Sequence, residues 1–426
     1  MTRSAIIIGA GPAGLAAAEV LAGAGWAVTI HDRMPSVGRK FLLAGRGGLN
    51  LTHSEPLETF LDRYGPARER LEPAIRAFPP DALRDWCEGL GVPTFIGTSG
   101  RVFPTAMKAS PLLRAWLRRL DGLGVQLATR SHWLGWSVDG GLLFGAQGGA
   151  AEHRADAAIF ALGGASWPRL GSDGSWHDVF AQHGARITPL APANSGILVG
   201  WSDIFRDRFA GQPLKPARFT LDGHELRGEA IVTREGLEGG AIYALSRPMR
   251  EALERGEARL DLDLHPDVDE AQLAERLDRD GKASLANRLR KAGLSPLAAS
   301  LLRERIGGPT LPAESPALAA LIKRCSLHVG GLAPIDRAIS TAGGIAWDSV
   351  NADYSLTSDP ATFVCGEMLD WDAPTGGYLL QACFATGRAA GFGALAAEKK
   401  RGSAPRASPV VPPRGEEFRN GSRSRP

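Results

Sequence analysis

The sequence predicts an α/β fold built on a parallel sheet, and three observations carry the prediction. Residues Ala5 to Ile8 form a short isoleucine-rich run bounded by glycine, the pattern of a strand buried on both faces. GAGPAG follows directly, and Leu15 to Gly23 is then rich in Ala and Leu, which favour helix. Gly25 supplies a stop, and Trp26 to Ile30 returns to strand character before the unit ends at His31-Asp32. Strand, glycine turn, helix and strand in this order make one βαβ unit, the seed of a Rossmann-like fold.

The remaining elements follow in order. Pro56 to Gly91 is helical and amphipathic but interrupted by Pro66, Pro73 and Pro79-Pro80, with Asp81 to Leu90 as a short capped helix. Pro111 to Leu120 is a basic amphipathic helix whose Arg114, Arg118 and Arg119 read as a solvated face. Val125 to Ala128, Trp133 to Val138, Leu142 to Gly145 and Ala157 to Leu162 are short strands, a meander that returns to the main sheet. Ile187 to Asp263 is rich in short β segments, Asp267 to Lys323 has helical spacing, strand chemistry resumes near Leu327, and Gly377 to Ala397 closes as a helix. These shifts divide the chain into residues 1–186, a β-rich insert at 187–265, a helical insert at 266–325, a return at 326–400, and a Pro/Ser/Arg-rich tail at 401–426 expected to be disordered.

Composition narrows the function classes. With 426 residues, 44% hydrophobic and 22% charged, the chain can bury a sizeable core. The formal charge is +3, but residues 401–426 hold six Arg and two Glu, so the rest nets −1 and carries no general footprint for nucleic acid. Cys87, Cys325, Cys365 and Cys383 form no CxxC pair, which speaks against zinc and a disulfide framework and fits a reducing cytoplasm. No metal site is expected. Arg3 before the apolar run Ala5 to Ala18 mimics a leader, yet Gly9, Gly11, Pro12 and Gly14 break that run, and no later stretch is long and apolar enough to span a bilayer. No signal of oligomeric state is present.

The first βαβ unit carries the chemistry. Gly9 makes the tight turn, Gly11 lets backbone amides approach a pyrophosphate, and Gly14 allows close packing of helix on sheet. Pro12 and Ala13 complete the turn at a helix N-terminus, which is an anion site. Asp32, with Arg33 beside it, closes the second strand and can accept hydrogen bonds from a ribose hydroxyl. Far down the chain, the strand Thr362 to Cys365 leads into Gly366-Glu367 and Asp370, then into Thr375-Gly376-Gly377-Tyr378 at a helix start. An acidic turn and a glycine-opened helix can hold a ribityl chain and a flavin, which points to FAD rather than to a nicotinamide as resident cofactor.

Taken together, GAGPAG with Asp32, GRKFLLAGRGGLN at Gly38 to Asn50, GRVFPTAMKAS at Gly100 to Ser110, ALGGASWPRLGSDGS at Ala161 to Ser175, STAGGI at Ser340 to Ile345 and CGEMLDWDAPTGGYLLQACFATGRAAG at Cys365 to Gly391 resemble the BaiN/YhiN-like flavoprotein family. The likeness spans nearly all of residues 4 to 395 and is greatest to a subgroup with a GEMLDW motif. It implies an NAD(P)/FAD-dependent oxidoreductase with a two-dinucleotide-binding-domain type of FAD fold, interrupted by β-barrel-like and helical inserts. It also implies that Lys40 and Asn50 follow the cofactor, that Gly163 and Gly164 cross back into the sheet, and that Gly366, Glu367, Asp370, Gly376 and Gly377 flank the ribityl and flavin end.

Two departures stand out. Relatives carry an Arg-Cys pair where this chain has Gly48-Leu49, so chemistry needing that thiol is in question, and a Thr-His-x-Gly segment is replaced by Thr233 to Gly236. Trp371 reads equally as a ring that stacks on flavin or as core, while His53, His177 and His183 lack ligand spacing. Cys365 and Cys383 read as buried small hydrophobes. No catalytic acid or base stands out. The expected activity is hydride transfer from a reduced donor, NADH or NADPH bound transiently, through FAD to an unknown small molecule. A flavin-dependent ribosomal RNA dihydrouridine synthase, with RNA as partner, and a non-catalytic flavin sensor or scaffold are the alternatives.

Overall fold

The computed structural model describes residues 2–44, 47–146, 149–279 and 283–403. Gly45 and Arg46 of the second segment, and the tail from residue 404 onward, lie outside the described residues. A five-stranded parallel sheet forms the centre, in the order Thr362–Val364, Ala157–Phe160, β1 (Ser4–Ile8), β2 (Ala27–Asp32), Gln126–Thr129. Ile7 faces Ile159 on one side and Ile30 on the other, and four of the five β1 residues are buried, as the continuous apolar run requires. Helix α1 (Pro12–Gly23) joins β1 to β2, with Pro12 at its first turn and Gly11 as N-cap.

The helix Tyr378–Ser403 packs along α1, running a few residues past the helix end expected from sequence. Their approach depends on absent side chains, since a Cβ at Gly387 would sit 2.1 Å from the Ala13 carbonyl oxygen. The meander His132–Trp136, Leu142–Ala146, Gly149–His153 also joins this core, Trp133 meeting Phe160 at 4.8 Å. Its third strand, GAAEH, was not foreseen, because it is polar and mostly exposed. Asp81 is a first-turn acid rather than a cap, and Pro73 lies inside the helix Arg68–Ala77 instead of breaking it.

A seven-stranded sheet forms the insert, ordered Cys325–His328, Arg259–Asp263, Pro213–Leu221, His224–Val232, Gly236–Glu238, Ile197–Leu198, Gly331–Leu332. Buried apolar residues fall into two clusters, one drawn from residues 5–185 and 345–394, the other from 197–329. The second cluster unites this sheet with the helices Glu270–Asp278, Leu285–Lys291, Pro296–Leu301 and Ser315–Lys323, so the β-rich and helical stretches share one core. Between the clusters, Ile187–Ala193 pairs antiparallel with Ser340–Ile345.

Candidate cofactor site

A cleft of about 320 Å³ opens at the C-terminal ends of β1 and β2, where ligands of open α/β sheets bind. The glycine turn forms its floor. Gly9 has φ +104°, and a Cβ there would lie 2.3 Å from the Ala161 carbonyl oxygen, so only glycine fits. A Cβ on Gly14 would lie 2.0 Å from the Gly9 oxygen, which locks α1 against the sheet. Gly11 has open space around its would-be Cβ, and no side chain caps α1, so the backbone N–H groups of Gly11 and Ala13 border the cleft without a side-chain cap, Pro12 between them having no N–H.

Asp32 shapes the turn from the second strand. Its Oδ2 accepts the Ala10 N–H at 2.9 Å and its Oδ1 the Met34 N–H at 2.8 Å, leaving lone pairs on both oxygens. Burial raises its carboxyl above the ordinary value, against the lowering effect of those two N–H groups and of Arg33 and Arg39. Beside it, buried His31 stacks on Phe144 at 4.0 Å and its Nδ1 meets Ser131 Oγ at 2.8 Å. Burial, helped by the charge of His153, pushes its imidazole down to about 4, so it is neutral at pH 7. Arg33 pairs with Asp173 at 2.6 Å; burial pushes the Asp173 carboxyl up, but Arg33 and Ser175 outweigh it and the net displacement is downward.

The far wall joins residues over 300 positions apart. Lys40 Nζ donates to Glu367 Oε2 at 2.7 Å and to Ser166 Oγ at 2.6 Å, and Glu367 Oε1 accepts the Thr341 N–H at 2.9 Å. The Glu367 side chain is only 7% exposed, so its charge is matched inside the protein rather than by water. Lys40 is thus tied into this wall, not a free surface lysine. Gly366 stands over the turn, its would-be Cβ 2.8 Å from Ala13 Cβ.

The cleft gathers Gly9, Gly11, Pro12, Ala13, Asp32, Arg33, Lys40, Gly163, Gly366 and Glu367. Gly14, Asn50, Gly164, Asp370, Thr375, Gly376, Gly377 and Tyr378 do not line it. Gly14 and Gly164 serve close packing, the latter against Thr341, and Gly377 sits on the Thr52 backbone, its would-be Cβ 2.5 Å from Thr52 Cα. The Asp370 carboxylate accepts from Thr188 Oγ1 at 2.6 Å. Tyr378 donates its hydroxyl to Glu55 at 2.6 Å, and burial, with Glu55, raises its phenol. Asn50 Oδ1 and neighbouring Thr52 Oγ1 are buried without a partner among the described residues.

Trp371 is core: it is buried, and its Nε1 donates to the Gly366 carbonyl at 2.9 Å. His183 stacks on Trp136 at 3.8 Å, and all four cysteines are free and buried, Cys383 bordering the cleft. Arg119 is not simply solvated, since it pairs with Glu19 at 3.0 Å. Leu49, where relatives carry the thiol, is fully buried. Residues whose roles the sequence did not disclose are His31, Arg39, Trp133, Ser166, Asp173 and Thr341. Arg39, Ser166, Asp173 and Thr341 lie within the family-like segments 38–50, 161–175 and 340–345, but only the fold shows what they touch.

The residues present fit an FAD. On cleft-lining residues, Arg33 Nε, Arg39 Nε and Trp133 Nε1 are buried N–H donors without a partner among the described residues, which suits an acceptor-rich, anionic group. With the uncapped helix end and the Asp32 acceptor, they define a flavin-binding Rossmann-type protein. The profile of the HI0933-like protein Rossmann domain matches residues 3–393, and the chain belongs to that family. A 3-dehydro-bile acid delta(4,6)-reductase of Clostridium scindens is 27% identical over 408 residues, 90% of this chain and 97% of that protein. A ribosomal RNA dihydrouridine synthase of Haemophilus influenzae is 25% identical over 57% of this chain and 60% of its own length. The fold is shared with 3-ketosteroid delta1-dehydrogenase from Sterolibacterium denitrificans, at TM-score 0.52 and 12% identity over 93% of this chain and all of that one. The chain is an FAD-dependent oxidoreductase. Among the described residues no helix is long and apolar enough to cross a membrane, and no group of side chains could hold a metal ion.

Proposed function

We propose that the chain uses NADH or NADPH to reduce, through FAD held in this cleft, a carbon–carbon double bond conjugated to a carbonyl in a small organic molecule. The carrying observation is that one cleft unites the uncapped α1 end with the Lys40–Glu367 wall and three unpaired N–H donors. In this reading the N–H groups of Gly11 and Ala13 hold the pyrophosphate, Asp32 accepts from a ribose, and Glu367, fixed by Lys40 and the Thr341 N–H, accepts from the ribityl hydroxyls. In the same reading Asn50, Asp370, Thr375, Gly376, Gly377 and Tyr378, which do not line the cleft, are assigned to the flavin end by the family resemblance alone. FAD, when bound, supplies the hydride transfer; the protein supplies position, charge and exclusion of water.

The acceptor class is supported by the relatives. The activities of both relatives amount to saturating a double bond conjugated to a carbonyl, in a bile acid or in a uracil ring. No second G-x-G-x-x-G follows another strand, so the nicotinamide donor binds transiently, without a Rossmann turn of its own. Free thiols fit a cytoplasmic setting. The test is anaerobic stopped-flow of the purified protein with NADH and NADPH, followed by conjugated enones, 3-oxo steroids among them. Yellow protein bleached by a donor and reoxidised by an enone is expected. Colourless protein that takes up no FAD removes the cofactor assignment, and flavin that neither donor bleaches leaves the sensor alternative.

The dihydrouridine synthase match favours a second reading, RNA as acceptor. The −1 charge outside the tail counts against it. A dihydrouridine map of ribosomal RNA that is unchanged when the gene is deleted eliminates that role.

A further inference from the structure

A second groove, of about 330 Å³, lies at the other end of α1, lined by Glu19, Val20, Gly23, Ala24, Arg388, Phe392 and Leu395. Its polar groups are unequally satisfied. Glu19 is saturated: its carboxylate accepts Trp86 Nε1 at 3.1 Å, Trp116 Nε1 at 2.7 Å and Arg119 at 3.0 Å, and Arg119 neutralises it. Arg388 has no hydrogen bond or ion pair among the described residues. Its guanidinium carbon instead lies over two rings, 4.5 Å from the Phe78 centroid and 5.8 Å from that of Phe392, one helical turn away. Burial lowers its pKa even with Glu19 nearby, the mark of a cation partly stripped of water without a matching anion. The walls are apolar, and Phe392 is 54% exposed.

A positioned guanidinium with free N–H donors beside an apolar wall recognises a carboxylate that carries a hydrocarbon body. A single excess positive charge, with the Glu19 carboxylate close by, selects a singly charged head over a dianionic phosphate. We propose that this groove is a binding site for a small amphipathic carboxylate, its head on Arg388 and its hydrocarbon along Val20, Phe392 and Leu395. The site is separate from the cofactor cleft, since α1 is 12 residues long and its two ends are roughly 18 Å apart.

The experiment titrates octanoate, 1-octanol and inorganic phosphate into the FAD-loaded full chain by calorimetry. Octanoate is expected to bind one per chain, at least tenfold more tightly than octanol, with no binding by phosphate. Arg388→Met should weaken octanoate at least tenfold while flavin content stays unchanged. Phe392→Ala, at an exposed position outside the buried core, should weaken it several-fold as an independent check. Equal binding of octanol and octanoate, or octanoate binding that neither variant alters, overturns the proposal.

Discussion

Gly14→Ala tests the architecture of the cofactor turn most severely, because two effects of opposite sign compete. Alanine inside a helix is favoured over glycine by about 1 kcal/mol. Against this, the new Cβ would lie 2.0 Å from the Gly9 carbonyl oxygen and 3.3 Å from Ala161 Cβ, where ordinary contact begins near 3.4 Å. The clash is with backbone, so no rotamer change relieves it, and α1 must move by about 1.4 Å relative to the sheet. Overpacking of this kind costs roughly 1–3 kcal/mol and exceeds the gain in propensity. The larger effect falls on the ligand: in the proposed reading the shift takes the Gly11 and Ala13 N–H groups off the pyrophosphate. Losing two charge-assisted hydrogen bonds at about 1.5 kcal/mol each predicts FAD binding weaker by roughly a hundredfold. The assay is quenching of flavin fluorescence on titration into apoprotein, with urea unfolding in parallel. A variant that binds FAD within threefold of the parent and unfolds at the same urea concentration would refute the reasoning.

Lys40→Met should strand the Glu367 carboxylate with only the Thr341 N–H, and Glu367→Gln should partly restore stability; a double-mutant cycle by urea unfolding should give a coupling of about 1–3 kcal/mol, and zero coupling contradicts the pairing. His31 has a folded pKa lowered from 6.5 to about 4, so the unfolded chain binds more protons between those values. Its contribution is therefore complete above about pH 6.5 and fades as pH falls toward 4; between pH 7 and 5 the protein should lose roughly 2 kcal/mol, a slope that His31→Gln abolishes in urea titrations. Burial pushes the Cys87, Cys325 and Cys383 thiols up to about 12 and Cys365 higher still, so a thiol reagent at pH 8 should label the native protein slowly and all four cysteines after denaturation. Rapid labelling before unfolding would contradict that burial.

What could be read from sequence, and what could not, divides by distance along the chain. The βαβ unit was legible because most of its determinants are local: the apolar strand, the close approach of Gly14 to the Gly9 carbonyl and the Asp32 hydrogen bonds to Ala10 and Met34 all lie within one supersecondary unit, and only the Ala161 carbonyl against Gly9 comes from outside it. Secondary structure failed where local cues are weak, as in the polar strand Gly149–His153. The Lys40–Glu367–Ser166–Thr341 wall shows the other failure. Its members lie in four separate segments, and nothing in lysine or serine at those positions announces a contact across more than 300 residues. Arg388 makes the point from the opposite side. In sequence it is one more arginine in a helix; what sets it apart is that it has no partner among the described residues, which depends on Glu19 being occupied by Trp86, Trp116 and Arg119 from two other helices. Charge pattern alone cannot distinguish a neutralised arginine from an unmatched one, because the difference lies in where three remote donors point. The unmatched guanidinium is the one that retains donors to offer a ligand, so the site least visible in the sequence is the one whose chemistry the fold leaves incomplete.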